Sequence, residues 1–316
     1  MTIQELKDRL RLPVIVAPMF IVSGTKLVIE ACKNGMVGTF PSLNGRTPED
    51  FENMLIEITT ELKMFEEETG KKPAPYGVNI IVNRTNPRVQ TDLMICAKYK
   101  VPLIITSLGA VKELVDAVHG YGGLVFHDVV KKRHAEKAAE AGVDGIICVS
   151  AGAGGHAGTS HPFALVNEVK SFYNGAVLMA GSINSGNEVL AAQMVGADFA
   201  YMGTRFINTK ECLAQEEYKQ MIIESEIGDV VYTPGVSGVP GNFLVKSISN
   251  AGIDITQQKE EDFSKLSQDD AKAWKDIWSA GHGVTTIKDV PSVSELTDRL
   301  EKEYKDAIDF ANSLKK

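Results

Sequence analysis

The sequence repeats one local pattern: the end of an Ala-rich helix, a glycine, then a short apolar run. It occurs at 30–40 (EACKNGMVGTF), 137–149 (KAAEAGVDGIICV) and 190–202 (LAAQMVGADFAYM), with a looser copy at 112–126. Gly35, Gly142 and Gly196 stand where a helix ends in the left-handed region, which a Cβ disfavours. Helix–glycine–strand repetition is how serial β/α units look in sequence. Eight strands are predicted, at 13–17, 36–40, 76–81, 102–106, 123–127, 144–149, 176–180 and 198–202. They are apolar on both faces, as parallel strands covered on both sides require. Between them lie helical segments. The clearest, 48–69, carries Phe51, Leu55, Ile58, Leu62 and Phe65 on one stripe. Eight such units within about 200 residues predict an α/β fold, a (β/α)8 TIM barrel, with a doubly wound open sheet as the alternative.

The rhythm breaks after residue 206. Residues 207–285 contain the turn-rich YTPGVSGVPGNF and the charged run QQKEEDFSKLSQDDAKAWKD, and are predicted as a small, mainly helical subdomain inserted after the eighth strand. The barrel then comprises 1–206 and 286–316. Its closing helix starts near 293, announced by a Ser292–Glu295 capping box. Val293, Leu296, Leu300, Tyr304, Ala307 and Leu314 form the face expected to dock on the barrel.

Composition excludes several function classes. A net charge of -8 over 316 residues, with no sustained Lys/Arg stripe, argues against a nucleic-acid binder. Lys71-Lys72 and Lys131-Lys132-Arg133 read as solvated helix ends. The four cysteines, Cys32, Cys96, Cys148 and Cys212, form no CxxC pair, so no metal site is expected. They read as small buried hydrophobes in a reducing cytosol, and a cytoplasmic location is expected. The first residues lack the apolar core of a signal peptide, and no run is long enough to cross a bilayer.

In a barrel the chemistry sits at the C-terminal ends of the strands. Strand one ends in Ala17-Pro18-Met19, strand three in Asn79, and strand five in His127-Asp128. Strands seven and eight are followed by AGSINSG and MGTRF. Gly181, Ser182, Gly203 and Thr204 in these turns suit a phosphate monoester, because barrels bind phosphate there through backbone N–H groups. The same composition also occurs in ordinary βα turns.

Strand six runs into VSAGAGGHAGTSHP, four glycines and two histidines in fourteen residues. Gly152 to Ala157 can be read as G-x-G-x-x-A, a dinucleotide fingerprint. That reading needs an acidic residue ending the next strand, and AVLMAGSI has none. Pro162 also delays the helix that should follow at once. The other reading is a glycine frame that presents His156 at the barrel mouth, where an imidazole can move protons near neutral pH. His119, His134 and His282 are assigned no chemistry, His161 caps a turn, and His127 lies between the two cases.

The motifs APMF, AGAGGHAG, AGSINSG and MGTRF, in this order and spacing, resemble the nitronate monooxygenase family, formerly the 2-nitropropane dioxygenases. That family also includes FMN-dependent enoyl-acyl-carrier-protein reductases and some NADH:quinone reductases. The resemblance spans about residues 10–290. It implies a TIM barrel that binds FMN. Ala17, Pro18 and Met19 would lie along the isoalloxazine, and Asn79 would reach its polar edge or the ribityl chain. Ser150, Gly154 and Gly155 would border the cofactor, while Gly181, Ser182, Gly203 and Thr204 would hold its phosphate. His156 would be the catalytic histidine. Two positions depart from the family. Val149 stands where relatives carry Gln or Glu, and Gly281-His282 stands where they often read GQ.

The function this implies is oxidation of alkyl nitronates, and of neutral nitroalkanes after deprotonation, with O2 to a carbonyl compound and nitrite. The partners would be a small-molecule substrate and O2, with a homodimer left open. The alternatives are an NAD(P)H-dependent FMN reductase of enoyl thioesters or quinones, and a barrel that binds a phosphorylated ligand without redox chemistry.

Overall fold

The computed structural model describes residues 1–109, 111–236, 238–256 and 276–314. Eight parallel strands close into a barrel. They are β1 (Val14–Val16), β2 (Val37–Pro41), β3 (Gly77–Ile81), β4 (Leu103–Ser107), β5 (Leu124–Val129), β6 (Gly145–Val149), β8 (Ala176–Ala180) and β9 (Phe199–Met202). A two-residue strand, β7 (Gly155–His156), follows β6 outside the barrel. β9 closes the ring on β1, with Ile15 opposite Tyr201. Each of the eight predicted strands is present to within one or two residues.

Alternate residues of each strand separate into two cores. Ile15, Leu103, Ile105, Phe126, Ile147, Leu178 and Phe199 pack inside the barrel. Val16, Val78, Ile104, Val125, Ile146, Cys148 and Val177 pack between the barrel and its helices. This double burial is why the strands read as continuously apolar. All four cysteines are buried and unpaired, three of them in helices or strands of this outer layer.

The helix α2 (Thr25–Lys33) ends just before Gly35, and α6 (Lys132–Ala141) and α8 (Gly186–Val195) end at Gly142 and Gly196, all three glycines in the left-handed region. The long helix α3 (Pro48–Thr69) buries Phe51, Leu55, Ile58 and Leu62 as its stripe predicts. The closing helix, Val293–Ser313, has the predicted capping box and buries Val293, Leu296 and Leu300. It packs on α8 and α2. Leu314 lies past its end and is exposed, so the docking face stops short of it.

Residues 207–285 are not simply helical. The described part carries a hairpin, β10 (Val230–Thr233) and β11 (Gly241–Leu244), beside the helices Glu216–Glu224 and Val245–Asn250. β11 pairs antiparallel with β7, so the insertion is stitched into the loop after β6 rather than set apart from the barrel. Turn residues around Pro234 and Gly235 hid this hairpin, since its short strands lack a run of alternation long enough to read. Most of the charged run QQKEEDFSKLSQDDAKAWKD lies outside the described residues. Among the described residues, no helix is long and apolar enough to cross a membrane.

The docking of the closing helix yields a test. A Cβ on Gly186 would fall inside the contact distance of Leu300 O and Tyr304 N, both backbone atoms. Gly186→Ala should therefore cost about 3 kcal/mol of stability through overpacking. Gly120→Ala, where nothing lies within 4 Å of the new methyl, should be neutral or stabilising. Chemical unfolding of both variants checks the contrast.

Candidate active site

The C-terminal ends of the strands surround a cavity of about 790 Å³. Its floor is the top layer of inward-pointing side chains. Alternation places Ala17, Asn79, Ser107, Asp128, Val149, Ala180 and Tyr201 there, and all line the cavity. Three of them form a polar row across β3, β4 and β5. The Asn79 amide donates to Ile105 O (3.1 Å) and to Ser107 Oγ (2.7 Å), and the Ser107 hydroxyl donates to Asp128 Oδ2 (2.6 Å). Among the described residues Asp128 has no ionic partner, and burial pushes its carboxyl up to about 6. Its Oδ1 is buried without a hydrogen bond.

Across the ring, the turns after β8 and β9 form the opposite wall. Gly181 and Ser182 are both in the left-handed region, at φ 122° and 56°. The N–H groups of Gly181, Ser182, Gly203 and Thr204 serve no turn or cap hydrogen bond among the described residues. The Thr204 hydroxyl accepts from Gly281 N–H (2.9 Å), which leaves its own proton to donate into the cavity.

The loop after β6 lies against both turns. A Cβ on Gly152 would stand 2.6 Å from Ser182 Oγ, and one on Gly154 would stand 2.8 Å from Gly281 N. No side chain fits at either position. The loop then runs into β7, whose Gly155 and His156 pair with Asn242 and Gly241 of β11. Asn242 donates its amide to Ala153 O (2.7 Å), which fixes the same loop from the hairpin side. His156 lines the cavity, and burial pushes its imidazole down to about 4, so the ring is neutral at pH 7.

The mouth is more apolar. Phe20, Ile21, Leu43, Leu108, Leu213 and Trp278 line it, with Arg46 exposed at the rim. Ile21 and Leu108 hold left-handed backbone (φ 68° and 64°), which is strained for a residue with a Cβ and uncommon outside functional sites. Asn44 secures the first of these. It accepts from Ile21 N–H (2.9 Å) and donates to Met19 O and Ser23 O.

Of the residues singled out in the sequence, Ala17, Pro18, Met19, Asn79, Gly154, Gly155, His156, Gly181, Ser182, Gly203 and Thr204 converge on this one cavity. Ser150 does not. It is fully buried behind the wall, with its hydroxyl donated to Cys148 O and its N–H to Ala180 O. His127 points the other way along β5, into the layer beneath the helices, where Nδ1 meets Thr106 Oγ1 at 2.7 Å. His282 packs against Gly152 without lining the cavity, although its neighbours Gly281 and Gly283 do. His161 caps the helix Pro162–Lys170 by accepting from Phe163 N–H (3.2 Å). Asn44 and Ser107 are site residues that sequence reasoning passed over, and Asp128 was named at a strand end without a role. For the last two, their place at the ends of β4 and β5 was the available signal.

Burial holds His127 and His156 neutral, both near 4 against an ordinary value of 6.5. Depressed folded-state values mean that the unfolded chain binds more protons. The stability each group contributes is therefore whole above pH 6.5 and is lost as pH falls toward 4. Proton NMR of the imidazole C–H signals should find both midpoints well below 5.5. A midpoint near 6.5 for either ring would place it in water instead.

Residues 46–303 match the sequence profile of the family described as Nitronate monooxygenase. A nitronate monooxygenase from Neurospora crassa is 25% identical, over 94% of this chain and 90% of that protein. An octahydroindene-carboxyl-CoA dehydrogenase from Rhodococcus jostii is 27% identical over 76% of this chain. The match spans 64% of the dehydrogenase's length, so the chain covers under two thirds of that relative. Among solved structures, FabK from Thermotoga maritima superposes with a TM-score of 0.79 at 22% identity, covering 98% of both chains. The nitroalkane oxidase of Streptomyces ansochromogenes also gives 0.79, at 21% identity over 96% of this chain and 99% of that one. At such identities the two structures establish the fold alone. The profile match extends over most of the chain, and this chain belongs to the nitronate monooxygenase family.

Proposed function

We propose that the chain is an FMN-dependent oxidoreductase that oxidises alkyl nitronates with O2 to a carbonyl compound and nitrite. The observation that carries this reading is His156, a neutral imidazole held on the wall of a cavity whose turns after β8 and β9 fit a phosphate. The residues present fit the cofactor. Among the described residues, no atom beyond its chain neighbours lies closer than 3.6 Å to where a Cβ on Gly203 would stand, and the N–H groups at 181–182 and 203–204 face no other acceptor in their turns. Phosphate oxygens accept from such groups with charge assistance. Pro18 and Met19 offer an apolar surface for the ring, and Asn79 a polar group for its edge.

FMN, when bound, would supply the redox chemistry between nitronate and O2. The protein's own part is position and proton control. A nitronate is already an anion, and His156 need only hold its nitro oxygens. A neutral nitroalkane must first lose its α-proton, and His156 is the base placed to accept it. Burial disfavours the imidazolium, so the proton is held only while the nitronate anion stays beside the ring. His156→Ala should therefore cost about 100-fold in kcat/KM on a nitroalkane and less than about tenfold on the preformed nitronate. Equal losses on both substrates would remove the base role.

A second reading is an NAD(P)H-dependent FMN reductase of enoyl thioesters or quinones. The apolar mouth with Arg46 at its rim favours it, because a long apolar substrate with an anionic end would fill that space. Anaerobic mixing separates the two. Nitronate alone should bleach the flavin under the first reading, and NADH or NADPH should do so under the second.

A further inference from the structure

Arg88 stands just before the helix Val89–Lys98, and its side chain is buried with that of Asp92 one turn on. Arg88 Nη2 and Nε donate to Asp92 Oδ1 at 3.0 and 3.2 Å. Burial pushes the Asp92 carboxyl up even though Arg88 opposes the shift, so desolvation outweighs the attraction of the pair. A pair of this kind is weak evidence for stability, and its use lies in what it holds. The same guanidinium donates to Gly45 O (2.6 Å) and Arg46 O (3.3 Å), and at 3.5 Å to Ser42 O and Thr47 O. A planar fork can meet a carboxylate and several carbonyls at once. Those carbonyls belong to the loop between β2 and α3, which carries Leu43, Asn44 and Arg46 to the cavity mouth.

Asn44 passes the constraint on. It accepts from Ile21 N–H and donates to Met19 O and Ser23 O, so the loop after β1 is tied to the loop after β2. Ile21 needs such a tie, because its left-handed backbone (φ 68°) persists only where the surroundings over-determine it. We propose that Arg88, held by Asp92, is a positioning residue for the cavity mouth: it sets the loop 42–47 and, through Asn44, keeps Ile21 in its strained conformation. Neither Arg88 nor Asp92 lines the cavity. Ile21, Leu43 and Arg46 therefore meet an incoming substrate in a shape fixed from the helix layer behind them. The chain of contacts stands without any assignment of activity; its effect on turnover rests on the nitronate reading of the cavity.

The test uses the double variant Arg88→Met/Asp92→Leu. It leaves no lone buried charge, and such apolar replacements are often neutral for stability. Hydrogen exchange of the full chain, followed by mass spectrometry, should run about tenfold faster or more at residues 42–47 and 19–23, the value of about one hydrogen bond. The helices Pro162–Lys170 and Gly186–Val195 should exchange as in the wild type. Unchanged exchange at 19–23, or acceleration spread evenly over the chain, overturns the assignment. Asn44→Ala should speed exchange at 19–23 by itself, and adding the double variant to it should contribute less than about twofold more there. Effects that multiply overturn the route through Asn44. On a preformed nitronate the double variant should raise KM about tenfold with kcat within about twofold of wild type. A fall in kcat at unchanged KM overturns the role at the mouth. Wild-type protein without activity on nitronates overturns the nitronate reading, and exchange at 19–23 then decides the positioning claim alone.

Discussion

The site depends on backbone meeting backbone where three loops converge. Gly154 of the loop after β6, Gly181 of the turn after β8, and Gly281 before the closing segment meet neighbouring main chain too closely for any Cβ. A methyl on Gly181 would lie 2.9 Å from Ala151 O, and one on Gly281 would lie 2.5 Å from Gly152 O. Close packing of this kind fixes positions, since any added volume must displace main chain rather than rotate a side chain. It sets the wall on which the free N–H groups are displayed. It also sets the direction in which the chain leaves toward β7, and with it the place of His156.

The hairpin completes this arrangement from outside the barrel. β11 pairs with Gly155 and His156, and Asn242 secures Ala153. The histidine is thus held by two parts of the chain about 85 residues apart, through the pairing of His156 with Gly241. Burial there keeps the ring neutral, which suits a group that must take up a proton only beside an anion. The floor contributes the contrary electrostatics. Asp128 lies on the cavity floor opposite that wall, and burial raises its carboxyl to about 6.

The barrel was legible in the sequence because its signals are local. Burial on both faces makes each strand a short apolar run, and a glycine marks where each helix must stop. The ends of those strands then located Ala17, Asn79, His156, Gly181 and Thr204, all on one cavity. Contacts set by folding were not legible. Ser150 sits among site residues in sequence, yet its register turns it behind the wall. His127 and Asp128 are neighbours in sequence, and the alternation of β5 sends one to the helix layer and the other into the cavity. Which of the two faces the ligand is decided by the register of a closed barrel, and no local pattern carries that. Asn44 and the β10–β11 hairpin act across long sequence separations, and the same reason hid them.

The most direct measurement of the account is the affinity of the apoprotein for FMN relative to riboflavin, which differs only in lacking the phosphate. If the turns at 181–182 and 203–204 hold that group through several charge-assisted hydrogen bonds, FMN should bind at least about 100-fold more tightly. Equal affinity for the two flavins would contradict it.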